Sequence, residues 1–166
     1  MVETESERRF NALLDAHGPS LRRLAGSYVR DRGEREDLFQ EIVIAIWRAL
    51  PRFRGECSER TFLFRIAHNR CLTHVARRRP AAPFDGHEAD AQDPQPTIEV
   101  QLADEQQRER LSSAVRALPI GYRQVVTLML EGLPYREIAQ VLGISESNVG
   151  VRLNRARQLL KERLEG

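Results

Sequence analysis

Apolar residues recur at helical spacing through most of the chain, and this periodicity is the strongest constraint on its fold. No segment shows the alternation of apolar and polar residues that a half-buried strand needs. Gly and Pro interrupt the pattern and divide it into segments. The predicted helices are Glu5–His17, Ser20–Val29, Glu34–Ala49, a helix capped by Ser58 that ends near Arg79, and helices from about Thr97 onward with breaks at Pro119 and at residues 132–134. We therefore predict an all-α fold.

A stretch in the middle of the chain lacks this pattern. Residues 80–96 are rich in Pro, Ala and Asp and contain almost no large apolar side chain. No Lys or Arg occurs from Pro80 to Gln107, whereas the acidic residues there are Asp85, Glu88, Asp90, Asp93, Glu99, Asp104 and Glu105. Such a segment cannot bury enough apolar surface to fold alone. We predict two small helical domains, residues 1–79 and 108–166, joined by a flexible acidic linker at residues 80–107.

The net charge of +2 is an average over basic ends and an acidic middle. The basic residues are almost all Arg, and both flanks of the linker become basic once it is set aside. Two basic ends suggest polyanion binding at both. Composition alone leaves open that these are merely solvated, Arg-rich helix faces.

The chain carries no sign of export or membrane insertion. Cys57 and Cys71 do not form the spacing ladder of a disulfide framework. No apolar run approaches the roughly 20 residues that span a bilayer. The N-terminus is charged and lacks the apolar stretch of a signal peptide. We expect a cytoplasmic protein.

The C-terminal part has the layout of a helix-turn-helix. Ile138, Ala139 and Leu142 mark the buried face of a short helix, Gly143 supplies a tight turn, and Ser145 is placed to cap the next helix. In that next helix one stripe must face the core, and it consists of Val149, Leu153, Ala156 and Leu160. The opposite side and its flanks are then placed for DNA bases and phosphates: Ser147, Asn148, Val151, Arg152, Asn154, Arg155 and Arg157. A helical hairpin that packs only on protein remains the alternative.

The third predicted helix is unusually apolar. Leu38, Phe39 and their helical repeats form two adjoining apolar stripes, and Trp47 extends them. The remaining polar arc holds Asp37, Gln40 and Glu41 and is interrupted by Ile44. Periodicity leaves two interpretations open, a helix at the centre of a bundle or a helix shared between its own core and a partner protein.

Four stretches together resemble the bacterial RNA polymerase sigma factors of the extracytoplasmic-function (ECF) subfamily. Glu137-Ile138-Ala139 and the run from Asn148 to Arg157 are similar to family region four, which binds the −35 element. Glu36-Asp37-Leu38-Phe39-Gln40-Glu41 followed by Trp47, and the run from Phe62 to Arg70, resemble region two. Gly150, Val151 and Phe62 depart from the common pattern, which carries a basic residue, Ser and Trp respectively.

The resemblance implies partners and surfaces. The partner would be core RNA polymerase, including its β and β′ subunits. Region two would dock on the β′ clamp helices through Asp37, Leu38, Gln40, Glu41, Ile44 and Trp47. Single- and double-stranded promoter DNA at the −10 element would meet Phe53, Arg54, Phe62, Arg65, Asn69, Arg70, Arg77 and Arg78. The linker would occupy basic polymerase channels as a nucleic-acid mimic, although a solvated spacer fits its composition equally. An anti-sigma protein is a further candidate partner.

The residues also permit simpler interpretations of the −10 set. Phe62 could belong to the core, for which Phe64 and Ile66 are the better candidates. The arginines at 77–79 could be a helix end matched to its dipole.

Two other classes of protein are alternatives. A stand-alone helix-turn-helix regulator would bind an operator as a dimer and would need a ligand or receiver domain, which the helical first domain does not resemble. An enzyme built around Glu34, Asp37 and Glu41 lacks the Glu-x-x-His spacing of carboxylate metal sites. We therefore predict no catalytic residues, no metal and no cofactor.

Overall fold

The computed structural model describes residues 2–78 and 103–166, with side chains from Glu105 in the second range. Its helices are α1 (Glu5–Gly26), α2 (Arg32–Ala49), α3 (Glu59–Arg78), α4 (Ala103–Arg116), α5 (Ile120–Leu130), α6 (Tyr135–Leu142) and α7 (Glu146–Glu165). A single 3-10 turn, Leu50–Arg52, follows α2. No strand occurs within the two described ranges, and the all-α prediction is confirmed.

The first helix is longer than its sequence predicts. The break at Gly18-Pro19, with Ser20 capping a second helix to Val29, is wrong, because α1 continues through Pro19 to Gly26. Pro19 lacks an N–H for the carbonyl of Asp15, but Asp15 lies on the exposed side of the helix, where water reaches that group. Burial of Leu21 and Leu24 beyond the proline holds the helical course. Packing therefore overrides the local signal.

Side-chain caps define where the N-terminal helices begin. Thr4 and Glu7 form a reciprocal capping box at α1, and the Asp31 carboxylate accepts from the Glu34 N–H at 2.9 Å at α2. The predicted cap of α3 is confirmed, since Ser58 Oγ accepts from the Thr61 N–H at 3.0 Å. Each cap satisfies a backbone donor that has no intrahelical partner.

The N-terminal half, which comprises α1, α2 and α3, packs around the centre of α2. Leu38, Ile42 and Ile46 are completely buried there. Phe64 of α3 is also buried, which confirms its assignment to the core. Residues of both predicted stripes on α2 thus belong to this half's own core, whereas Asp37 and Gln40 of the polar arc are exposed.

The C-terminal half comprises α4 to α7. Most of the linker predicted at residues 80–107 lies outside the described residues. Residues 103–107 were assigned to that linker, whereas α4 begins at Ala103. Beyond α4 the predicted breaks are confirmed, since α5 begins after Pro119 and α6 begins after Pro134. α7 packs against α4, α5 and α6.

The two halves touch each other. α3 packs against α6 and makes the most extensive contact between them. Buried apolar residues of both halves belong to one continuous cluster. The separation into two domains that the sequence predicts therefore does not mean that the two sets of helices stand apart.

Candidate functional site

In the C-terminal half, α7 packs against α4, α5 and α6 with one side and exposes the other. Gly143 ends α6 in the left-handed conformation, with φ of 69°, which a residue with a Cβ adopts only with strain. Ser145 Oγ then accepts from the Asn148 N–H at 3.0 Å and starts α7. Val149, Leu153 and Ala156 are completely buried. The turn, the cap and the buried stripe together fix which side of α7 faces outward.

The outward side of α7 holds the predicted −35 residues. Ser147, Asn154 and Arg155 are exposed, and Val151 exposes 48% of its surface. Asn148 and Arg152 are half-buried at the edge of this face, where Arg152 Nε donates to Asn148 Oδ1 at 3.2 Å. At the other edge, the Arg157 guanidinium lies 3.4 Å from Met129 Sδ. The result is a polar face with flanking cations, as a helix in a major groove requires.

Gly150 lies on the same helix, beside the exposed ring of Tyr135 at the start of α6. A Cβ added at Gly150 would meet the Tyr135 ring at 3.6 Å, an ordinary contact distance. The glycine is therefore not required by crowding. Because Gly150 has no side chain, the Tyr135 ring, which is 40% exposed, is the neighbouring group on this side of α7.

The exposed face of α2 carries four of the six residues predicted to bind polymerase. Asp37 and Gln40 are exposed, and Ile44 and Trp47 expose 49% and 43% of their surfaces. Glu41 is half-buried beside α3. The inclusion of Leu38 is wrong, because its side chain is completely buried and supports α2 from inside the core.

Trp47 is held in place by a residue of α1. The rings of Phe10 and Trp47 meet edge to face, with centroids 5.0 Å apart. Together with Glu3, Glu7 and Asn11 they line an open groove at the end of α2. The exposed Trp47 ring and the half-buried Phe10 ring, beside carboxylate and amide groups, make a surface suited to another protein.

Aromatic and basic side chains gather where the loop after α2 meets α3. The Phe53 and Phe62 rings stack with centroids 4.3 Å apart, and the Arg9 guanidinium lies 5.6 Å from the Phe53 centroid. Arg54, Asn69 and Arg70 are exposed nearby in the sequence, Arg54 in the loop and the other two on α3. Stacked aromatic rings flanked by cations are typical of single-strand binding.

Three of the predicted −10 arginines already have partners. Arg77 lies 3.5 Å from Glu41, and Arg78 pairs with Glu34. His74 lies between the same two carboxylates, at 3.9 Å from Glu34 and 3.8 Å from Glu41. The Arg65 guanidinium donates to the Gln140 carbonyl oxygen of α6 at 2.9 Å. The end of α3 is therefore tied to α2, and its middle to the C-terminal half.

Sequence reasoning missed the charged residues that join the two halves. The Arg60 guanidinium binds the Glu137 carboxylate, with Nε and an Nη at 3.0 and 2.5 Å from the same oxygen. Arg23 donates to both Glu131 oxygens, at 3.0 and 2.8 Å, and this bonding raises the pKa of Arg23. No local signal could find these pairs, because their partners lie far apart in the sequence.

Buried polar groups lie at the same junction. The Tyr28 hydroxyl is 3.2 Å from His68 Nδ1, and both residues are buried. Burial lowers the pKa of His68 to about 4, so the ring is neutral at neutral pH. Burial also raises the pKa of Tyr28 and of Cys71. Interactions of Tyr28 with Arg123 and Thr127 of α5 oppose part of that rise in its pKa.

Within the described ranges, no group of three or more His, Cys, Asp or Glu side chains is arranged to hold a metal ion. None of the described helices is long and apolar enough to cross a membrane.

Comparisons with known proteins identify the family of the chain. The family described as Sigma-70 region 2 matches residues 13–81, and that described as Sigma-70, region 4 matches residues 108–160. The RNA polymerase sigma-H factor of Pseudomonas aeruginosa is 33% identical, covering 99% of this chain and 90% of the relative. The ECF RNA polymerase sigma-E factor of Escherichia coli K12 is 29% identical, covering 99% of this chain and 91% of the relative.

Solved structures give the same result for the fold. CnrH in complex with the cytosolic domain of CnrY superposes with a TM-score of 0.72 at 28% identity, covering 95% of this chain and 88% of that one. RpoE of Bartonella quintana, in complex with the anti-sigma factor NepR, superposes with a TM-score of 0.71 at 23% identity, covering 95% of this chain and 98% of that one. The chain belongs to the ECF group of the sigma-70 family of RNA polymerase sigma factors. A stand-alone regulator is not favoured, because both sigma regions occur in one chain.

Proposed function

We propose that this chain binds core RNA polymerase through the exposed face of α2 and directs it to promoters by contacting the −10 and −35 elements. The outward face of α7 carries the proposal, because Ser147, Val151, Asn154 and Arg155 are exposed there. Polymerase performs the chemistry, since the chain's part is to bind and position DNA. Such a protein would act where polymerase and DNA are, in the cytoplasm.

The polymerase surface is proposed to consist of Asp37, Gln40, Glu41, Ile44 and Trp47. The centre of this surface is apolar, and its rim carries carboxylate and amide groups. A protein interface that excludes water from a small core has this composition. Helical spacing places Asp37, Gln40, Ile44 and Trp47 along one line on α2. A helical partner that offers basic residues beside an apolar stripe would complement this line, and the family resemblance suggests the β′ clamp helices as that partner.

The −10 surface is proposed to begin at the stacked rings of Phe53 and Phe62. An unstacked base gains by lying against an aromatic face, and nearby guanidinium groups neutralise the phosphates. Arg54, Arg65, Asn69 and Arg70 would supply such contacts. Arg77 and Arg78 contribute positive potential, although their ion pairs with Glu41 and Glu34 also stabilise the end of α3.

The −35 surface is proposed to be the outward face of α7. Asn154 and Arg155 can form hydrogen bonds with base edges, and Val151 offers an apolar contact for a thymine methyl group. Arg152 and Arg157 flank these residues where phosphates would lie. An anti-sigma protein remains a proposed additional partner, as for the RpoE–NepR complex.

Run-off transcription with purified bacterial core polymerase across a promoter library tests the function. We expect defined transcripts only when the chain is present. If the chain neither binds core polymerase nor starts transcripts, yet binds an operator as a dimer, the proposal is wrong.

The docking face is tested by changing both Asp37 and Gln40 to Ala. Both side chains are exposed, so the fold should be intact while affinity for core polymerase falls by about tenfold, or about 1.4 kcal/mol. Asp15→Ala, a change at an exposed carboxylate of α1, serves as the control and should leave the affinity unchanged. Unchanged binding of the double variant would show that α2 does not dock.

A further inference from the structure

The loop that carries the first aromatic ring of the proposed −10 surface is fixed at both ends. Leu50 is buried at its start, and the Phe53 N–H donates to the Leu50 carbonyl oxygen at 3.0 Å. Gly55 turns the chain with a φ of 79°. At the far end, the Ser58 hydroxyl accepts from the Thr61 N–H and caps α3. These contacts define the backbone of the loop, and the Phe53 ring is then placed by its own neighbours.

Two side chains from other elements hold the Phe53 ring. Phe62 of α3 stacks on it, with centroids 4.3 Å apart and ring planes 25° from parallel. Arg9 of α1 lies over the same ring, with its guanidinium carbon 5.6 Å from the centroid, a distance at which a cation is attracted to an aromatic face. Both rings are half-buried, so part of each is open to solvent. Three elements of the fold therefore meet at Phe53.

Arg9 is itself held in place by a carboxylate. Its Nη2 lies 3.6 Å from Oε2 of Glu59, the first residue of α3. The two side chains expose 43% and 52% of their surfaces, so the ion pair adds little stability. Its effect is to keep the guanidinium beside the Phe53 ring. A single arginine of α1 thus connects the loop after α2 to the start of α3.

An aromatic side chain binds an unpaired base better when its ring is fixed beforehand. A ring on an exposed loop loses rotamer freedom when a base stacks on it, and this loss of entropy opposes binding. A ring that its neighbours already hold loses less. Among the described residues, the other arginines found over aromatic rings, Arg22 and Arg123, lie over Phe39 and Tyr28, away from the stacked pair.

We infer that Arg9 is a positioning residue of the −10 surface, which holds the Phe53 ring in its stack on Phe62 so that an unpaired promoter base can lie against the pair. The inference rests on the proposed function of that surface. Arg9 acts through the Phe53 ring and not by touching DNA. Helix α1 therefore takes part in holding the opened strand, although every residue that the sequence assigns to the −10 element lies in the loop or on α3.

The test is a double-mutant cycle on the full chain assembled with core polymerase. The variants are Arg9→Gln, Phe53→Ala and the two changes together. The probe is the strongest promoter of the run-off library, labelled with fluorescein and carrying mismatches that leave its −10 element unpaired. Fluorescence anisotropy should show about fivefold weaker binding for Arg9→Gln and about tenfold weaker binding for Phe53→Ala. Once Phe53 is absent, Arg9→Gln should have no further effect.

The matched control is Arg8→Gln. Arg8 is the neighbouring residue on α1 and carries the same charge, but it pairs with Glu5 at 3.1 Å. Its loss should leave the affinity unchanged. Equal losses from the Arg8 and Arg9 variants overturn the inference, because the net charge would then explain both. Unchanged affinity for Arg9→Gln overturns it too. A loss that persists without Phe53 also overturns it, since Arg9 would then touch DNA or support the whole fold.

A second measurement needs no polymerase. In the free chain, Arg9→Gln should change the NMR shifts of the Phe53 and Phe62 ring protons, whereas Arg8→Gln should not. Unchanged ring shifts in the Arg9 variant contradict the positioning role. Failure of the proposed function has a different signature, because the unchanged chain would then form no complex with core polymerase and give no transcript. Failure of this inference leaves the unchanged chain active and the Arg9 variant equal to it.

Discussion

His68 makes the stability of this protein depend on pH in a way that can be worked out from its surroundings. The side chain is buried, Nδ1 faces the Tyr28 hydroxyl, and burial lowers its pKa from 6.5 to about 4. The unfolded chain exposes the ring to water, where the pKa is about 6.5. Folding therefore favours the neutral form.

The sign follows from which state binds more protons. Above about pH 6.5 both states hold neutral His68, and the residue contributes no pH dependence. As the pH falls from 6.5 toward 4, the unfolded state gains a proton that the folded state does not accept. Between about pH 7.5 and about pH 5 the free energy of unfolding should fall by about 2 kcal/mol from this residue alone.

The assay is urea unfolding followed by circular dichroism, on the unchanged chain and on His68→Gln, at both pH values. Glutamine keeps a polar group near Tyr28 but does not titrate. Since every other titrating group is common to both proteins, the variant should lose about 2 kcal/mol less on acidification. Tyr28→Phe serves as the control, because it removes the hydroxyl that faces His68 and leaves the buried imidazole ring of His68 in the chain.

Equal losses in the unchanged chain and in His68→Gln would refute the reasoning. They would mean that water reaches the imidazole in the folded state, or that the junction around Tyr28 opens before the molecule unfolds. A smaller loss in the unchanged chain than in the variant would reverse the sign and exclude a neutral, buried His68.

Three further predictions concern single sites. Leu38→Ala should lower the free energy of unfolding by about 2–5 kcal/mol, because the side chain is completely buried. Ile44→Ala, on the exposed side of α2, should change the free energy of unfolding by about 0.5 kcal/mol or less, and urea unfolding compares the two variants. Gly143→Ala should lower the free energy of unfolding by about 1–2 kcal/mol, because Gly143 has a left-handed φ. Gly150→Ala, in a helix with room for a Cβ, should raise the free energy of unfolding by up to about 1 kcal/mol. Equal effects of the two changes would contradict the turn geometry. Arg155→Ala should weaken binding to the preferred −35 sequence by about 1–3 kcal/mol and relax selectivity there, and uniform loss on every sequence in a gel-shift competition would make Arg155 a phosphate contact.

Sequence was sufficient for the parts of this protein that depend on neighbouring residues. The turn at Gly143, the cap at Ser145 and the buried stripe of α7 follow from chain geometry and apolar spacing, so the outward face of α7 was predicted residue by residue. The interruptions at Pro119 and Pro134 were predicted for the same reason. The residues that touch polymerase and DNA remain predictions.

Tertiary structure decided what depends on long-range packing. Helix α1 continues through Pro19 because residues on both sides of it are buried against other helices, which no local rule anticipates. Leu38 belongs to the core rather than to the outer face, because the position of α3 determines which side of α2 is covered. The pairs Arg60–Glu137 and Arg23–Glu131 join residues that only the folded chain brings together. Helical periodicity specifies which residues share a face, but the neighbour that covers each face is determined by the packing of the whole chain.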